Sequence, residues 1–179
     1  GIGPLYYYGS EEQKRRYLPD LCAGKTLWGF GLTEPSAGSD AGGSKTTARL
    51  EGDRWIINGS KIFITNAGSP MTAGSTVQCV TGTRPDGSKE VSCILVEQDT
   101  PGFTTRSMHR KMVWRASNTA ELYFDNVSVP RDNLLGTRGQ GFLQMLETLD
   151  SGRLSIAAMG LGGAQGAFEA ALAYARERK

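Results

Sequence analysis

The first 26 residues follow a helical pattern of apolar and polar positions. Ser10 and Gln13 have the spacing of a capping box, in which a hydroxyl and an amide satisfy free backbone N–H groups reciprocally. The pattern predicts a helix over residues 11–17, which Pro19 ends or restarts as a short turn. Gly24 suits the C-cap of this helical zone.

From about residue 27 to residue 129 the pattern changes to short apolar runs separated by turn residues. Runs of this length and composition predict strands. No helical pattern alternates with them, which disfavours a Rossmann sheet and indicates an antiparallel sandwich or barrel. The predicted strands are residues 28–32, 54–58, 61–65, 77–81, 91–96, 120–124 and 127–129.

Three turns are predicted between these strands. Asn58-Gly59 is a strong type I′ hairpin signal, and a second turn precedes it at Glu51-Gly52-Asp53. Pro85-Asp86-Gly87 predicts the third turn, because proline presets φ and glycine supplies a positive φ.

The last zone returns to a helical period. Apolar residues between 142 and 149 fall on one face, and Asp150 or Ser151 then suits the N-cap of a long helix over residues 152–178. The many alanines and glycines of that helix indicate a close approach by another helix or a ligand. The helix pattern runs into charged residues without a Gly cap or a proline, from which we expect the chain to be cut there.

Composition excludes several classes of protein. The chain has 20 basic and 18 acidic residues, and this balance argues against nucleic acid as the main partner. A hydrophobic fraction of 39% excludes intrinsic disorder. The longest uncharged run, residues 154–168, is too short to span a bilayer, and no signal peptide is visible.

The thiols and the single histidine indicate no metal centre. Three scattered cysteines and one histidine form no zinc pattern, so we interpret the cysteines as buried small hydrophobes in a reducing compartment. His109 is interpreted as a solvated surface residue rather than a general base. Gly24-Lys25-Thr26 imitates the end of a P-loop, but it lacks the required first glycine.

Two segments carry candidate binding chemistry. Thr33-Glu34-Pro35-Ser36-Ala37-Gly38-Ser39-Asp40 combines small residues with three hydroxyls, which suits a loop cradling a phosphate or the edge of a heteroaromatic ring. A plain surface turn fits the same composition. Phe63 and Thr65 share one face of a predicted strand and could cover a flat ring and hydrogen-bond its edge. An ordinary strand with core and rim residues remains the alternative.

Taken together, these segments resemble the acyl-CoA dehydrogenase family of flavoenzymes. The resemblance implies a mixed α and β fold, with a central antiparallel β-sandwich or barrel flanked by helices of truncated N- and C-terminal helical domains. It divides the chain into residues 1–26, 27–133 and 134–179. The matching segments, in order, are residues 9–14, 33–40, 52–66, 115–122, 127–136 and 149–153, the last reading Leu149-Asp150-Ser151-Gly152-Arg153.

The resemblance implies FAD as the cofactor and an acyl-CoA as the substrate. The backbone near Leu32 and the Thr33 hydroxyl would bind the pyrimidine edge of the flavin. Phe63 would stack on the ring, where relatives often carry Trp, and Thr65 would lie near flavin N5. The implied cofactor-binding residues are Phe30, Leu32, Thr33, Gly38, Ser39, Phe63, Ile64 and Thr65, and the implied substrate-binding residues are Ser39, Asp150 and Arg153.

The implied reaction is α,β-dehydrogenation, in which a glutamate removes the α-proton and hydride passes to the flavin. Gly152 stands where a minority of relatives carry that glutamate, so no catalytic base is assigned to this chain. Weak FAD binding by this chain alone and an exposed apolar helix face are expected. An acyl-CoA oxidase of the same fold and a non-catalytic interaction module remain alternatives.

The resemblance also implies partners and a location. Relatives of the short-chain and general bacterial branch, which the 149–153 segment resembles, pass electrons to an electron-transferring flavoprotein and are usually homotetramers. The implied location is the cytoplasm of a bacterium or the mitochondrial matrix of a eukaryote.

Overall fold

A computed structural model describes all 179 residues, and these divide into two compact units, Gly1–Met145 and Leu146–Lys179. The helices are α1 (Ile2–Tyr8), α2 (Glu11–Cys22) and α3 (Gly141–Glu177), and short 3-10 turns cover Ala41–Gly43 and Arg131–Asn133. The strands are β1 (Leu27–Gly31), β2 (Thr47–Glu51), β3 (Arg54–Thr65), β4 (Thr72–Thr83), β5 (Lys89–Glu97), β6 (Phe103–Ser107), β7 (Thr119–Pro130) and β8 (Leu134–Leu135).

The eight strands form one sheet in the order β6-β7-β3-β2-β4-β5-β8, with β1 also paired to β4. The mixed α and β class is confirmed, but the sheet is not wholly antiparallel, because β1 and β2 both run parallel to β4. β1 ends with Gly31 opposite Val77, and β2 starts with Thr47 opposite Val80. After β1, the chain therefore forms a loop over residues 32–46. It then pairs again with the same edge of β4, farther along and in the same direction, as β2.

The hairpin predicted at Asn58-Gly59 is wrong. β3 runs without a break through both residues, and Gly59 lies at an irregularity in the pairing with β7. A Cβ at Gly59 would come within 2.7 Å of the Thr46 Cα, so glycine serves a close approach there and not a turn. The hairpin between β2 and β3 instead turns at Gly52, whose φ is +63°, as the second predicted turn requires.

The remaining strand predictions hold with one exception. The Pro85-Asp86-Gly87 turn joins β4 to β5, and the Arg84 N–H donates to the Ser88 carbonyl across it. The predicted break between residues 124 and 127 is wrong, because β7 is continuous. Asn126 adopts a φ of 49° within β7, where its N–H donates to the side chain of Asn58 on β3.

The core of the first unit is one apolar cluster to which strands β2 to β7 all contribute. Strands from across the sheet therefore share a single core. Trp55 is its largest side chain, and its indole N–H donates to the Arg131 carbonyl at 3.1 Å. Other members are Ala48, Ile57, Ile64, Val77, Cys79, Ile94, Val96, Phe103, Ala120, Leu122, Phe124, Val127 and Val129.

Helix α2 begins as predicted. Ser10 and Gln13 form the capping box, and the Gln13 amide also donates to the carbonyls of Asp132 and Leu134. The helix does not end at Pro19, which lies inside it. It continues to Cys22 and is capped by Ala23, after which Gly24 takes a φ of +69°.

The second unit is the helical segment of residues 146–179. The N-cap predicted at Asp150 or Ser151 is wrong, because α3 is continuous from Gly141 and both residues lie within it. Residues 151–179 are all exposed, including Leu154, Leu161 and Phe168. The expected exposed apolar face is therefore present. No helix of the structure combines the length and the apolar character that a bilayer crossing requires.

Candidate functional site

The loop of residues 32–46 between β1 and β2 contains the strongest binding candidates. It opens with a tight turn in which Glu34 and Ala37 exchange two backbone hydrogen bonds of 3.0 and 3.1 Å. Its far end is held from the sheet, where the buried Gln78 amide donates to the Ala41 carbonyl at 3.0 Å. Lys89 donates to the Ser44 carbonyl at 2.8 Å. The loop is therefore fixed at both ends by the strands beneath it.

Two of the predicted binding segments lie side by side. The Ile62 N–H donates to the Thr33 carbonyl at 2.9 Å, which places residues 30–33 beside the end of β3. The Lys61 ammonium donates to the Leu32 carbonyl at 3.2 Å, one peptide away. The backbone of residues 32–33 and the end of β3 are therefore adjacent.

A bulge turns the end of β3 toward solvent. The pairing with β7 is irregular between Lys61 and Ile64, and Phe63 adopts a φ of 61°. Phe63 is 59% exposed and Thr65 is exposed, whereas Ile64 between them is buried in the core. An aromatic face and a hydroxyl are thus displayed together beside the 32–46 loop.

Thr33 carries hydrogen-bonding groups with no partner in the chain. Its carbonyl is used by Ile62, but neither its N–H nor its hydroxyl makes a hydrogen bond. Gly38 and Ser39 are exposed at the tip of the same loop. Phe30 and Leu32 are partly buried and buried, so their backbone and not their side chains can meet a ligand.

The sequence pattern does not predict the buried ion pair beneath the loop. Lys61 Nζ donates to Glu34 Oε1 at 2.8 Å, and the side chains are 0% and 4% exposed. The ammonium also donates to Ser44 Oγ at 3.1 Å, so that its three protons go to Leu32, Glu34 and Ser44. The alternating pattern of β3 predicts that a charged residue such as Lys61 faces solvent. The burial of Lys61 depends on Glu34, which lies 27 residues away in the sequence.

The Glu34 carboxylate is held by four donors. Ser44 Oγ and the N–H groups of Lys45 and Thr46 add bonds of 2.5, 2.7 and 3.0 Å to that of Lys61. Burial by itself would raise the pKa of this carboxyl, but the hydrogen bonds from Lys61 and Ser44 and the Lys61 charge lower the pKa to about 2. The pair therefore stays ionised and ties the start, the end and the floor of the loop together.

The two predicted residues of the second unit form a pair of their own. Asp150 and Arg153 are ion-paired one helical turn apart on α3, and both side chains are well exposed. Gly152 lies between them, with open space where a side chain would be.

Other candidate groups offer no chemistry. His109 is exposed, as predicted. Cys79 and Cys93 are buried as expected, but Cys22 is exposed on the last turn of α2, against the prediction. Burial raises the pKa of the Cys79 thiol to about 12 and also raises the pKa of Cys93, so neither forms a reactive thiolate. No group of three or more ligating side chains could hold a metal ion.

Comparison with known proteins matches two family models. The acyl-CoA dehydrogenase middle domain matches residues 29–127, and the acyl-CoA dehydrogenase C-terminal domain matches residues 139–179. A probable acyl-CoA dehydrogenase of Bacillus subtilis, YngJ, is 52% identical over 100% of this chain and 47% of its own length. The chain thus spans about half the length of the curated relatives it matches.

Solved structures agree with the sequence matches. Butyryl-CoA dehydrogenase from Megasphaera elsdenii superposes with a TM-score of 0.90 at 40% identity, covering 98% of this chain and 45% of that one. An acyl-CoA dehydrogenase from Bacillus anthracis complexed with FAD gives a TM-score of 0.91 at 37% identity, covering 100% and 30%.

Proposed function

Because the chain belongs to the acyl-CoA dehydrogenase family, we propose that it supplies the flavin-facing part of an FAD-dependent enzyme that oxidises acyl-CoA thioesters. The observation that carries this proposal is the pairing of the 32–46 loop with the bulged end of β3. It joins an unpaired N–H and hydroxyl at Thr33 to an exposed aromatic at Phe63. The Bacillus anthracis relative with FAD has the same fold.

The groups present fit a flavin. The free N–H and hydroxyl of Thr33 are donors of the kind that the pyrimidine edge of the ring requires. Phe63 offers a face for the ring, and Thr65 lies two residues away with its hydroxyl exposed. Ile64 anchors this short segment in the core, while Gly38 and Ser39 leave room for a pyrophosphate at the loop tip.

When bound, FAD supplies the acceptor for the hydride that leaves the β-carbon of the substrate. The residues of this chain hold the ring and stabilise negative charge at its pyrimidine edge through Thr33. Ser39, Asp150 and Arg153 are proposed to bind the CoA portion, for which an arginine suits phosphate oxygens. We assign no residue of this chain as the base, since Gly152 has no side chain for it.

The finer assignments are extensions of this proposal. We infer a short-chain substrate, because a butyryl-CoA dehydrogenase is among the similar structures. An electron-transferring flavoprotein is the proposed electron acceptor, and a homotetramer is the proposed assembly. The proposed location is the cytoplasm of a bacterium or the mitochondrial matrix of a eukaryote.

The test is the colour of the whole protein. We expect it to purify yellow and to bleach when butyryl-CoA is added without oxygen. A protein that takes up no FAD, or a yellow protein that keeps its colour with acyl-CoAs of every chain length, would contradict the proposal. Admitting oxygen separates the alternative: rapid recolouring with peroxide release marks an oxidase, whereas slow recolouring marks a dehydrogenase.

A further inference from the structure

The buried Lys61–Glu34 pair contacts a peptide unit whose N–H has no acceptor in the chain. The peptide between Leu32 and Thr33 contributes the Leu32 carbonyl, which accepts from Lys61 Nζ at 3.2 Å. The same peptide contributes the Thr33 N–H, which has no acceptor in the chain. A fully buried cation thus sits at the carbonyl end of a peptide whose donor end is free.

A cation at a carbonyl oxygen strengthens the donor at the other end of the same peptide. Resonance links the oxygen and the N–H of one amide, so drawing electron density to the oxygen makes the nitrogen more positive. Hydrogen bonds in such chains polarise one another, and the effect is larger away from water. Lys61 is 0% exposed, so water does not screen its charge from the Leu32 carbonyl.

We propose that the Lys61–Glu34 pair tunes the flavin by polarising the peptide between Leu32 and Thr33, so that the Thr33 N–H stabilises negative charge on the reduced ring more strongly. This inference rests on the proposed function. Lys61 acts through the peptide and is a positioning residue, not a catalytic one. Glu34, held by Ser44 and two backbone N–H groups, keeps the ammonium charged and aimed at its carbonyl.

The rest of the network supports a directed role. The loop is also anchored by Gln78 and Lys89, and a neutral amide at position 34 could still accept from the Thr46 N–H, although not from the Lys45 N–H, which bonds the other oxygen. The ammonium adds a charge-assisted bond that places its charge directly on the Leu32 carbonyl.

The decisive variant removes both charges and keeps the Thr46 bond to position 34 and the loop anchors from Gln78 and Lys89. In the whole flavin-loaded protein, Lys61→Met combined with Glu34→Gln leaves no uncompensated buried charge, and such neutral replacements are often tolerated. We expect the midpoint potential of the bound flavin to become more negative. A loss of about tenfold in the equilibrium toward reduced flavin corresponds to about 30 mV for a two-electron couple.

A matched control removes a different ion pair, between β5 and the segment that precedes α3. Arg138 and Glu90 are paired at 2.7 Å and are partly exposed, and neither contacts the 32–33 peptide. Arg138→Gln with Glu90→Gln is expected to leave the potential at the parent value. A Lys61/Glu34 double variant that binds FAD and keeps the parent potential would overturn the inference, as would an equal shift in the control.

A second measurement needs no substitution and remains available if the double variant does not fold. Lysines labelled with ¹⁵N at Nζ are observed by NMR in the oxidised and the reduced protein, and the Lys61 signal is sought among those of slowly exchanging ammonium protons, because its side chain is 0% exposed. Its signal is expected to move on reduction, and an unmoved signal would overturn the inference. A protein that takes up no flavin overturns the proposed function together with this inference, whereas an unmoved potential or signal in a yellow protein overturns this inference alone.

Discussion

The unit that contains the sheet, Gly1–Met145 (the sheet unit), and the 146–179 segment contain the same kinds of apolar residue. These residues are buried in the sheet unit and exposed in the 146–179 segment. In the sheet unit, leucines, valines and aromatic residues from six strands meet in one core, and even a lysine and a glutamate are buried as a pair. In the 146–179 segment, Leu154 and Leu161 are 77% and 73% exposed, as is typical of surface polar residues. Helical structure and burial are therefore separate properties in this molecule.

The difference lies in where each element finds its hydrogen bonds. A strand must pair with a neighbour to satisfy its backbone, so the sheet unit brings distant residues together as it forms. A helix satisfies its backbone internally, so residues 151–179 of α3 are helical although all of them are exposed. Its exposed apolar residues form the surface that a packing partner would cover.

The largest expected change in the free energy of unfolding comes from breaking the buried Lys61–Glu34 pair of the first unit. Lys61→Met leaves the Glu34 charge buried without its partner, which costs about 3–5 kcal/mol of the free energy of unfolding. Urea unfolding followed by tryptophan fluorescence measures the loss. The control is Lys14→Ala, whose exposed pair with Glu11 is worth about 0–1 kcal/mol. Similar losses in both variants would show that the Lys61 pair is not buried.

Truncating one leucine in each region compares their burial directly. Leu122 is 0% exposed in the core, so Leu122→Ala is expected to cost about 2–5 kcal/mol. Leu161→Ala on the exposed helix is expected to change the free energy of unfolding by less than about 0.5 kcal/mol. Thermal and urea unfolding of the two variants provide the comparison. A large cost at Leu161 would reveal that the helix face is covered in solution.

We expect acid to lower the free energy of unfolding of the sheet unit because Glu34 becomes protonated on unfolding. The pKa of this carboxyl is about 2 in the folded protein against an ordinary 4.5, so its contribution is complete above about pH 4.5. That contribution is lost as the pH falls from about 4.5 toward 2, because the unfolded state takes up the proton at its ordinary pKa while the folded state does not. Unfolding measured between pH 6 and pH 2 tests this. Glu34→Gln is expected to flatten the dependence, and an unchanged slope would assign it to other carboxyls.

The smallest effect concerns association through the helix. Because Leu154, Leu161 and Phe168 are exposed, we expect this chain to self-associate at high concentration. Replacing the three residues by Gln is expected to shift sedimentation toward the monomer without changing far-UV circular dichroism. Replacing exposed Tyr6 and Tyr7 of α1 by Gln serves as the comparison. A parent chain that stays monomeric at every concentration would remove the basis of this prediction.

Much of the fold followed from local pattern. The capping box at Ser10, the turn at Pro85-Asp86-Gly87 and the positions of most strands were predicted because each depends on neighbouring residues. The failures share a different cause. Asn58-Gly59 and Asn126 imitate turns, but they form facing irregularities in two long strands, which only the β3–β7 pairing reveals.

The site divides in the same way. The 33–40 loop and the Phe63–Thr65 segment stand out in the sequence by their composition, and the family match extends over both. The roles assigned to their residues and to Asp150 and Arg153 remain proposals. The Lys61–Glu34 pair could not be predicted from the pattern of β3, since its meaning depends on a contact across 27 residues.

The sequence by itself determined the start of α2, most strands and the family, because capping, periodicity and motif composition act over a few residues. The tertiary structure decided that β1 and β2 share one edge of β4, and that a lysine lies under the loop between them. It also decided which apolar residues are covered. Those outcomes depend on contacts between residues far apart in the chain, whose free energies no local pattern encodes.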